Sequence, residues 1–207
     1  MLIAGSTFRW RIAIVVSCFA LLATNASASD RPNTASIHLE AVQSSIHVNL
    51  TGSVDGSDSV SISCARNEVE SFQVIVTAEY ERLHKVDASL SSLKNNHGDT
   101  LPQECVELFC GSFVPVRIPD PRSNMQPGMW SDALVPRTNP YTGEPVQGPK
   151  WGKAGFTGER FRGRNFDVWQ TQQQPLWVDI SVPNAAVPGI YTGLFTVWAE
   201  NADSVTI

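Results

Sequence analysis

The chain has 207 residues, of which 15 are basic and 20 are acidic, so its formal net charge is −5. Binding to phosphate backbones needs positive charge, and an acidic chain is therefore not expected to bind nucleic acid. The length is sufficient for one domain with a hydrophobic core of its own.

Residues 1–28 are typical of a secretory signal peptide. Arg9 and Arg11 precede a short apolar stretch, and Ala26-Ser27-Ala28 has the small-residue pattern that signal peptidase cleaves. The apolar stretch, residues 12–23, is too short to cross a bilayer as a helix, and no later segment is apolar enough to do so. We therefore expect a secreted or periplasmic protein, cleaved near Ala28 and without a transmembrane anchor.

A lipoprotein signal is the second interpretation of the N-terminus. Residues 15–18, Val-Val-Ser-Cys, resemble a bacterial lipobox, which would leave Cys18 as a lipidated N-terminus. The apolar run continues past Cys18 to Leu22, and for this reason cleavage near Ala28 is the favoured prediction. Without residues 1–28 the chain keeps 13 basic and 20 acidic residues, a net charge of −7.

Residues 29–207 show short strands separated by turns. Alternating apolar and polar residues predict strands at 45–50, 60–64, 70–78, 86–93, 106–116, 176–182 and 191–199. Closely spaced strands with turn residues between them are typical of an antiparallel sandwich. We predict an all-β, immunoglobulin-like β-sandwich without long helices. Its predicted core comprises Phe72, Val74, Val76, Val178, Ile180 and Val197.

The last residues of the sequence, 204–207, have the character of another strand that has just begun. A sandwich that lacks its final strand would expose an unpaired edge. We therefore interpret residues 29–207 as an N-terminal domain that is truncated at its C-terminal end.

One long segment, residues 119–175, interrupts the series of strands. It holds eight of the 13 prolines and seven of the 14 glycines, and both residue types disfavour regular sheet. We predict a single long Pro/Gly-rich loop, and loops of this length are more often functional than filler. It also holds three tryptophans, one tyrosine and a cluster of arginines, namely Trp130, Trp151, Trp169, Tyr141, Arg160, Arg162 and Arg164.

Three cysteines follow the signal peptide, at positions 64, 105 and 110. Export permits a disulfide, and an odd number leaves one thiol over. If residues 105–110 form one extended strand, Cys105 and Cys110 lie about 17 Å apart, which is too far for a bridge. Either that segment turns, or Cys64 pairs with one of the two, or all three are small buried hydrophobic residues.

Catalytic motifs are absent from the sequence. It has no nucleophile elbow, zinc-protease motif or phosphate-binding loop, and its four histidines have no metal-binding spacing. Glu68 and Glu70 lie two residues apart on a predicted strand, so both point to one face about 6–7 Å apart, near the separation that glycosidases use. Any solvated strand shows this pattern, and we interpret both residues as structural. We predict no catalytic residue, cofactor or metal site.

Three motifs resemble the glycoside hydrolase family 123 group and its uncharacterised relatives. They are ARNEVESFQ at residues 65–73, WSDALVP at residues 130–136, and QPLWVDISVP with PGIYTG within residues 174–193. The three motifs occur in the order found in that group. The residues that carry the likeness are Asn67, Glu68, Glu70, Phe72, Gln73, Asp132, Trp177, Asp179, Pro188, Gly189, Tyr191 and Gly193.

This resemblance implies an N-terminal β-sandwich that precedes a (β/α)₈ catalytic barrel. In that family the barrel carries an adjacent Asp-Glu pair and cleaves N-acetylgalactosaminides with help from the substrate's acetamido group. The present sequence has no Asp-Glu dipeptide and too little length for such a barrel. The catalytic residues of the family therefore match no position here.

We interpret the chain as a non-catalytic accessory domain of a secreted, glycoside-hydrolase-like parent protein, with its own catalytic barrel as partner. The motif residues have structural explanations, such as turn chemistry at Pro188 and Gly189. Two alternatives stay open, namely a stand-alone carbohydrate-binding module and an immunoglobulin-like structural or adhesion domain without a sugar function. The residues expected to contact the barrel or a glycan are Trp130, Asp132, Tyr141, Trp151, Arg160 and Arg162.

Overall fold

A computed structural model describes residues 35–123, 125–146 and 162–207, together with the backbone of residues 12–13. The predicted signal peptide lies outside the described residues apart from the two-residue strand Ile12–Ala13. The candidate residues Trp151 and Arg160 lie outside them as well. Within the described ranges, no helix is long and apolar enough to cross a membrane.

Strands dominate the described part of the chain, which contains fourteen of them and one short 3-10 helix at Gln103–Cys105. The strands are β1 (Ile12–Ala13), β2 (Ile37–Gln43), β3 (Ser61–Ile62), β4 (Val69–Ala78), β5 (Leu83–Leu90), β6 (Leu93–Asn95), β7 (Thr100–Leu101), β8 (Val106–Val116), β9 (Gly128–Pro136), β10 (Phe166–Val168), β11 (Gln173–Ser181), β12 (Tyr191–Thr192), β13 (Phe195–Ala199) and β14 (Ala202–Thr206).

Two antiparallel sheets form the body of the fold. The larger has five strands in the order β2-β4-β11-β8-β9, and the smaller has four in the order β10-β5-β13-β14. Two further sheets, β12-β6-β7 and β1-β3, are shorter. The predicted all-β antiparallel sandwich is confirmed, whereas its immunoglobulin-like character stays a prediction.

One hydrophobic core joins the two main sheets. Val74 and Val178 from the five-stranded sheet and Phe195 and Val197 from the four-stranded sheet belong to the same cluster, each at most 1% exposed. Burial of such a side chain contributes about 1.5–3 kcal/mol to folding. All six residues predicted for the core are buried.

Strand β4 is buried on both faces, because the chain that precedes it folds over the outer side of the sheet. Ile75 is fully buried in a second cluster with Val42 and Val48. The prediction of a strand at residues 45–50 was therefore wrong. The alternation in that segment places Val48 in the same cluster as Ile75. Its backbone makes two hydrogen bonds to β9 and one to β11.

The prediction that residues 119–175 form one continuous loop was wrong in its extent. The segment contains β9, which pairs with β8, and the short strand β10, which pairs with β5. Strand β9 is the edge of the five-stranded sheet and has Pro136 as its last residue, a position that tolerates proline. Composition averaged over the whole segment concealed a strand of nine residues.

The strand predicted at residues 191–199 is divided in two. Tyr191–Thr192 pairs with β6, whereas Phe195–Ala199 pairs with β5 and β14. Gly193 lies between them, and a Cβ atom added there would lie 2.6 Å from Leu93 Cδ2. Because Leu93 is fully buried, glycine permits an approach that a larger residue would block.

Candidate functional site

The first motif, residues 65–73, forms the entry to strand β4. Asn67 has a left-handed backbone with φ of 58°, and the Glu68 carboxylate accepts a hydrogen bond from the Ala65 N–H at 2.6 Å. The Asn67 N–H donates to the Val182 carbonyl at 2.8 Å, and the Val182 N–H donates to the Glu68 carbonyl at 2.9 Å. The motif thus closes a turn and ties it to the end of β11.

Glu68 lies just outside strand β4, whereas the prediction placed both Glu68 and Glu70 on one strand. Strand β4 begins at Val69, so Glu68 lies in the preceding turn and Glu70 lies on the strand. Burial raises the pKa of the neighbouring Cys64 thiol to about 12, and both carboxylates add to that rise. The two carboxylates therefore both lie near one buried thiol.

Asp179 is the centre of a hydrogen-bonded group on the five-stranded sheet. Its Oδ1 accepts from Ser71 Oγ and from Trp177 Nε1, both at 2.6 Å. Trp177 lies opposite Gln73, whose Nε2 donates to the Ile46 carbonyl at 2.8 Å. Phe72, between Ser71 and Gln73, points into the core and is 1% exposed. These motif residues therefore form hydrogen bonds within the protein or pack in its core.

The turn at Pro188 and Gly189 packs closely on strand β6. A Cβ atom added to Gly189 would lie 3.3 Å from Asn95 Nδ2. The Tyr191 hydroxyl donates to the Val187 carbonyl at 2.9 Å, which closes the turn. Burial raises the pKa of this hydroxyl, so Tyr191 is a neutral hydrogen-bond donor at physiological pH.

No cavity found among the described residues brings together the four described candidates for barrel or glycan contact. Trp130 lies on β9, and its indole N–H donates to the Gln126 carbonyl at 2.8 Å. Asp132 is exposed on the same strand, and Tyr141 is 95% exposed beyond it. Of these four, Arg162 lines a cavity, and its neighbours there were not predicted.

That cavity has a volume of about 240 Å³ and lies where β8, β9, β10 and the start of β11 approach one another. We call it the Trp169 cavity. Its lining is mixed, with more apolar side chains than polar ones. The residues that line it include Phe113, Met129, Arg162, Asp167, Trp169 and Gln172.

Trp169 is held in place by a cation. The Arg82 guanidinium carbon lies 3.8 Å from the centroid of the indole ring. The Asp167 carboxylate accepts a hydrogen bond from that guanidinium and another from the Lys85 N–H, the latter at 2.9 Å. One face of the indole is therefore covered, yet 52% of Trp169 is exposed.

A second cleft, of about 400 Å³, lies beside two strand edges. Strand β8 pairs with β9 from Phe109 onward, and β5 pairs with β10 as far as Val86. Residues 106–108 pair with β11 and residues 88–90 pair with β13 on one side only. On the other side, no strand among the described residues pairs with them. Trp198, Glu107 and Gln103 line this edge cleft together with two arginines.

The two arginines share one buried carboxylate. The Asp87 side chain is 5% exposed and accepts hydrogen bonds from both Arg137 and Arg164. Arg164 donates through Nε at 3.0 Å and through Nη2 at 2.8 Å. Arg137 also donates to the Ala88 carbonyl at 2.6 Å, and the Ala88 N–H donates to Asp87 at 2.9 Å. This cluster closes the β5 edge at Ala88, a common device for protecting an edge strand.

Within the described ranges, the structure supports neither a metal site nor a disulfide bond. No group of three or more His, Cys, Asp or Glu side chains is placed there to hold a metal ion. Cys64, Cys105 and Cys110 are free thiols, and the first and last are buried. Burial also raises the pKa of Cys110 to about 12. The interpretation that all three are small buried residues therefore holds for Cys64 and Cys110, whereas Cys105 is half-buried.

No prediction from the sequence covered Arg82, Asp87 or Arg137, and Trp169 was predicted only as one aromatic residue of the long segment. Asp87 lies in a regular strand pattern, where an acidic residue reads as an ordinary outward-facing side chain. Its arginine partners lie 50 and 77 residues further along the chain. No local sequence signal indicates a contact over that separation.

Comparison with known proteins gives one family match. The family described as the glycoside hydrolase 123 N-terminal domain matches residues 53–199. No curated protein matches the sequence.

The solved structures that match the chain include the following two. One is a family 123 glycoside hydrolase from Clostridium perfringens, studied for glycolipid glycan hydrolysis, with 16% identity and a TM-score of 0.46. The similarity covers 69% of the present chain and 20% of that chain, so the present chain spans about a fifth of its length. The other is AvmM, described as catalysing macrocyclization in alchivemycin A biosynthesis, with 11% identity, a TM-score of 0.36, and coverage of 69% and 79%.

Proposed function

Because the chain belongs to the glycoside hydrolase 123 N-terminal domain family, we propose that it is the non-catalytic accessory domain of a secreted, glycoside-hydrolase-like protein. In this role it packs against a catalytic barrel of the N-acetylgalactosaminidase type and helps to frame the sugar site of that barrel. The observation that carries the proposal is the family match, which runs from residue 53 to residue 199 and so includes most of the sandwich.

The surface of the segment that follows β8 supports a docking role. Ile118 is 91% exposed, Tyr141 is 95% exposed, and Leu134 on β9 is 39% exposed. Contiguous exposed apolar side chains mark surfaces that another protein covers, and we propose that these three contribute to one such surface. A catalytic domain of the same polypeptide is the partner that family membership suggests for this surface.

Export is part of the proposal and rests on residues 1–28. N-terminal sequencing of the mature protein tests it, and the expected first residue is Ser29. A mature protein that begins with a lipidated Cys18 would show that a lipid anchors the protein to a membrane, as the lipoprotein interpretation predicts. A protein that retains Met1 would contradict export.

The accessory role is tested on the gene and its longest product. The reading frame beyond codon 207 is sequenced, and the encoded protein is produced with and without residues 29–207. We expect a barrel that hydrolyses an aryl N-acetylgalactosaminide and that loses activity or thermal stability when the domain is removed.

A matched pair of variants locates the docking surface. Tyr141→Asp places a charge in the proposed contact, and we expect it to lower the thermal stability of the longer protein. Glu200→Gln changes an exposed side chain on another surface and serves as the control. Removal of the whole domain without effect on activity or stability would refute the accessory role.

A further inference from the structure

The Trp169 cavity combines features of a small sugar site on the sandwich itself. We propose that it binds a single pyranose ring, at a site separate from the catalytic barrel proposed above. The proposal concerns a ligand of this domain, and it holds whether or not a barrel accompanies the domain.

The size of the cavity favours one ring. Its volume of about 240 Å³ is below the roughly 300–1,000 Å³ of pockets that take drug-sized ligands. A longer glycan would therefore extend out of the cavity, with one residue seated inside it.

The lining of the cavity matches the two kinds of surface that a pyranose presents. Phe113, Met129 and Trp169 supply apolar surface for the C–H face of the ring. Arg162, which donates hydrogen bonds, and Asp167, which accepts them, supply polar groups for the hydroxyls. A largely apolar pocket with a few placed polar groups is the usual form of a small-molecule site.

Trp169 is prepared for this role before a ligand arrives. Arg82 covers one face of the indole, with the guanidinium carbon 3.8 Å from the ring centroid, and Asp167 holds Arg82. Trp169 is nevertheless 52% exposed, so part of the residue stays accessible to a ligand. A side chain that is already ordered loses little conformational entropy on binding, which favours affinity for a small ligand.

Isothermal titration calorimetry of the full chain with galactose, N-acetylgalactosamine, glucose and glucuronic acid tests the proposal. Sorbitol serves as an acyclic control, because it has hydroxyls but no ring face. We expect saturable binding of at least one pyranose and no saturable binding of sorbitol. Absence of saturable binding by all four pyranoses would overturn the proposal.

Paired variants assign the binding to the cavity. We expect Trp169→Ala to abolish binding and Trp198→Ala to preserve it, since Trp198 is a partly exposed tryptophan of the edge cleft. If Trp169→Ala fails to fold, as judged by its thermal unfolding, Arg162→Ala gives the same test from the polar side. Unchanged affinity in the folded cavity variants would place the sugar elsewhere and reject the proposal.

The outcome is separable from that of the accessory role. Sugar binding is measured on the present chain alone, whereas the accessory role is measured by hydrolysis and stability of the longer protein. Failure of one measurement leaves the other unaffected.

Discussion

Arg82 and Trp169 extend the pairing of two strands by one residue. Strands β5 and β10 are paired at Leu83 and Val168, and the next residue on each side contributes to a cation–π contact of 3.8 Å. The contact fixes the position of the tryptophan that forms one wall of the Trp169 cavity. It therefore connects the stability of the sheet with the shape of the proposed sugar site.

Replacement of Arg82 by alanine tests this connection. Arg82→Ala removes the cation–π contact and the hydrogen bond to Asp167, both partly shielded from solvent. We expect the free energy of unfolding in urea to fall by about 1–3 kcal/mol. Arg82→Lys keeps the charge without the planar donor group, and its free energy of unfolding should lie between those of the wild type and of Arg82→Ala. An alanine variant as stable as the wild type would contradict the account.

The Asp87 cluster is expected to contribute much more than a surface ion pair. Asp87→Ala leaves Arg137 and Arg164 without their shared carboxylate, and loss of one partner of a buried pair costs about 3–5 kcal/mol. The matched control is Glu200→Ala, which breaks an exposed pair with Lys85 and should cost less than about 1 kcal/mol. Urea unfolding measures both variants. Equal losses would show that the burial of Asp87 adds nothing.

The cysteines are expected to differ in reactivity. Thiolates react and neutral thiols do not, and burial raises the pKa of both Cys64 and Cys110 to about 12. At pH 8 a maleimide should therefore modify the half-buried Cys105 first and the other two only after unfolding. Mass spectrometry of the modified protein identifies the sites. Modification of Cys64 or Cys110 as fast as Cys105 in the folded protein would contradict this order.

The same pKa shifts predict the sign of a change in stability with pH. The ordinary pKa of these thiols is 9.0, so above pH 9 the unfolded chain releases protons that the folded chain retains. The stabilisation from the neutral buried thiols is therefore complete below pH 9 and is lost as the pH rises toward 12. A variant with Cys64→Ala and Cys110→Ala should show a smaller decline over this range.

Local patterns in the sequence predicted much of the sandwich. Strand β8 occurs at the residues predicted for it, because its apolar residues alternate and turn residues bound it. The three motifs indicated the family that the chain belongs to. Strand β9 was missed because proline and glycine counts over a long segment concealed it, and β2 was missed because no prediction covered residues before position 45.

The candidate site was less predictable, because its parts are distant in the sequence. Asp167 lies 85 residues from Arg82, and their contact depends on the register of β5 against β10. Trp130 and Tyr141 were chosen for being aromatic in a predicted loop, yet one lies on a strand and the other is fully open to solvent. Aromatic character can nominate a residue as a candidate for binding, but it does not predict which residues surround it in the fold.

Hydrolysis of an aryl N-acetylgalactosaminide by the purified chain, residues 29–207, tests most directly whether this domain is a catalyst or an accessory. We predict no turnover above that of a heat-inactivated sample, because the Glu68 carboxylate is engaged by its own turn, where it accepts a hydrogen bond from the Ala65 N–H. Reproducible turnover by the wild type that disappears in Glu68→Gln or Glu70→Gln would contradict the account.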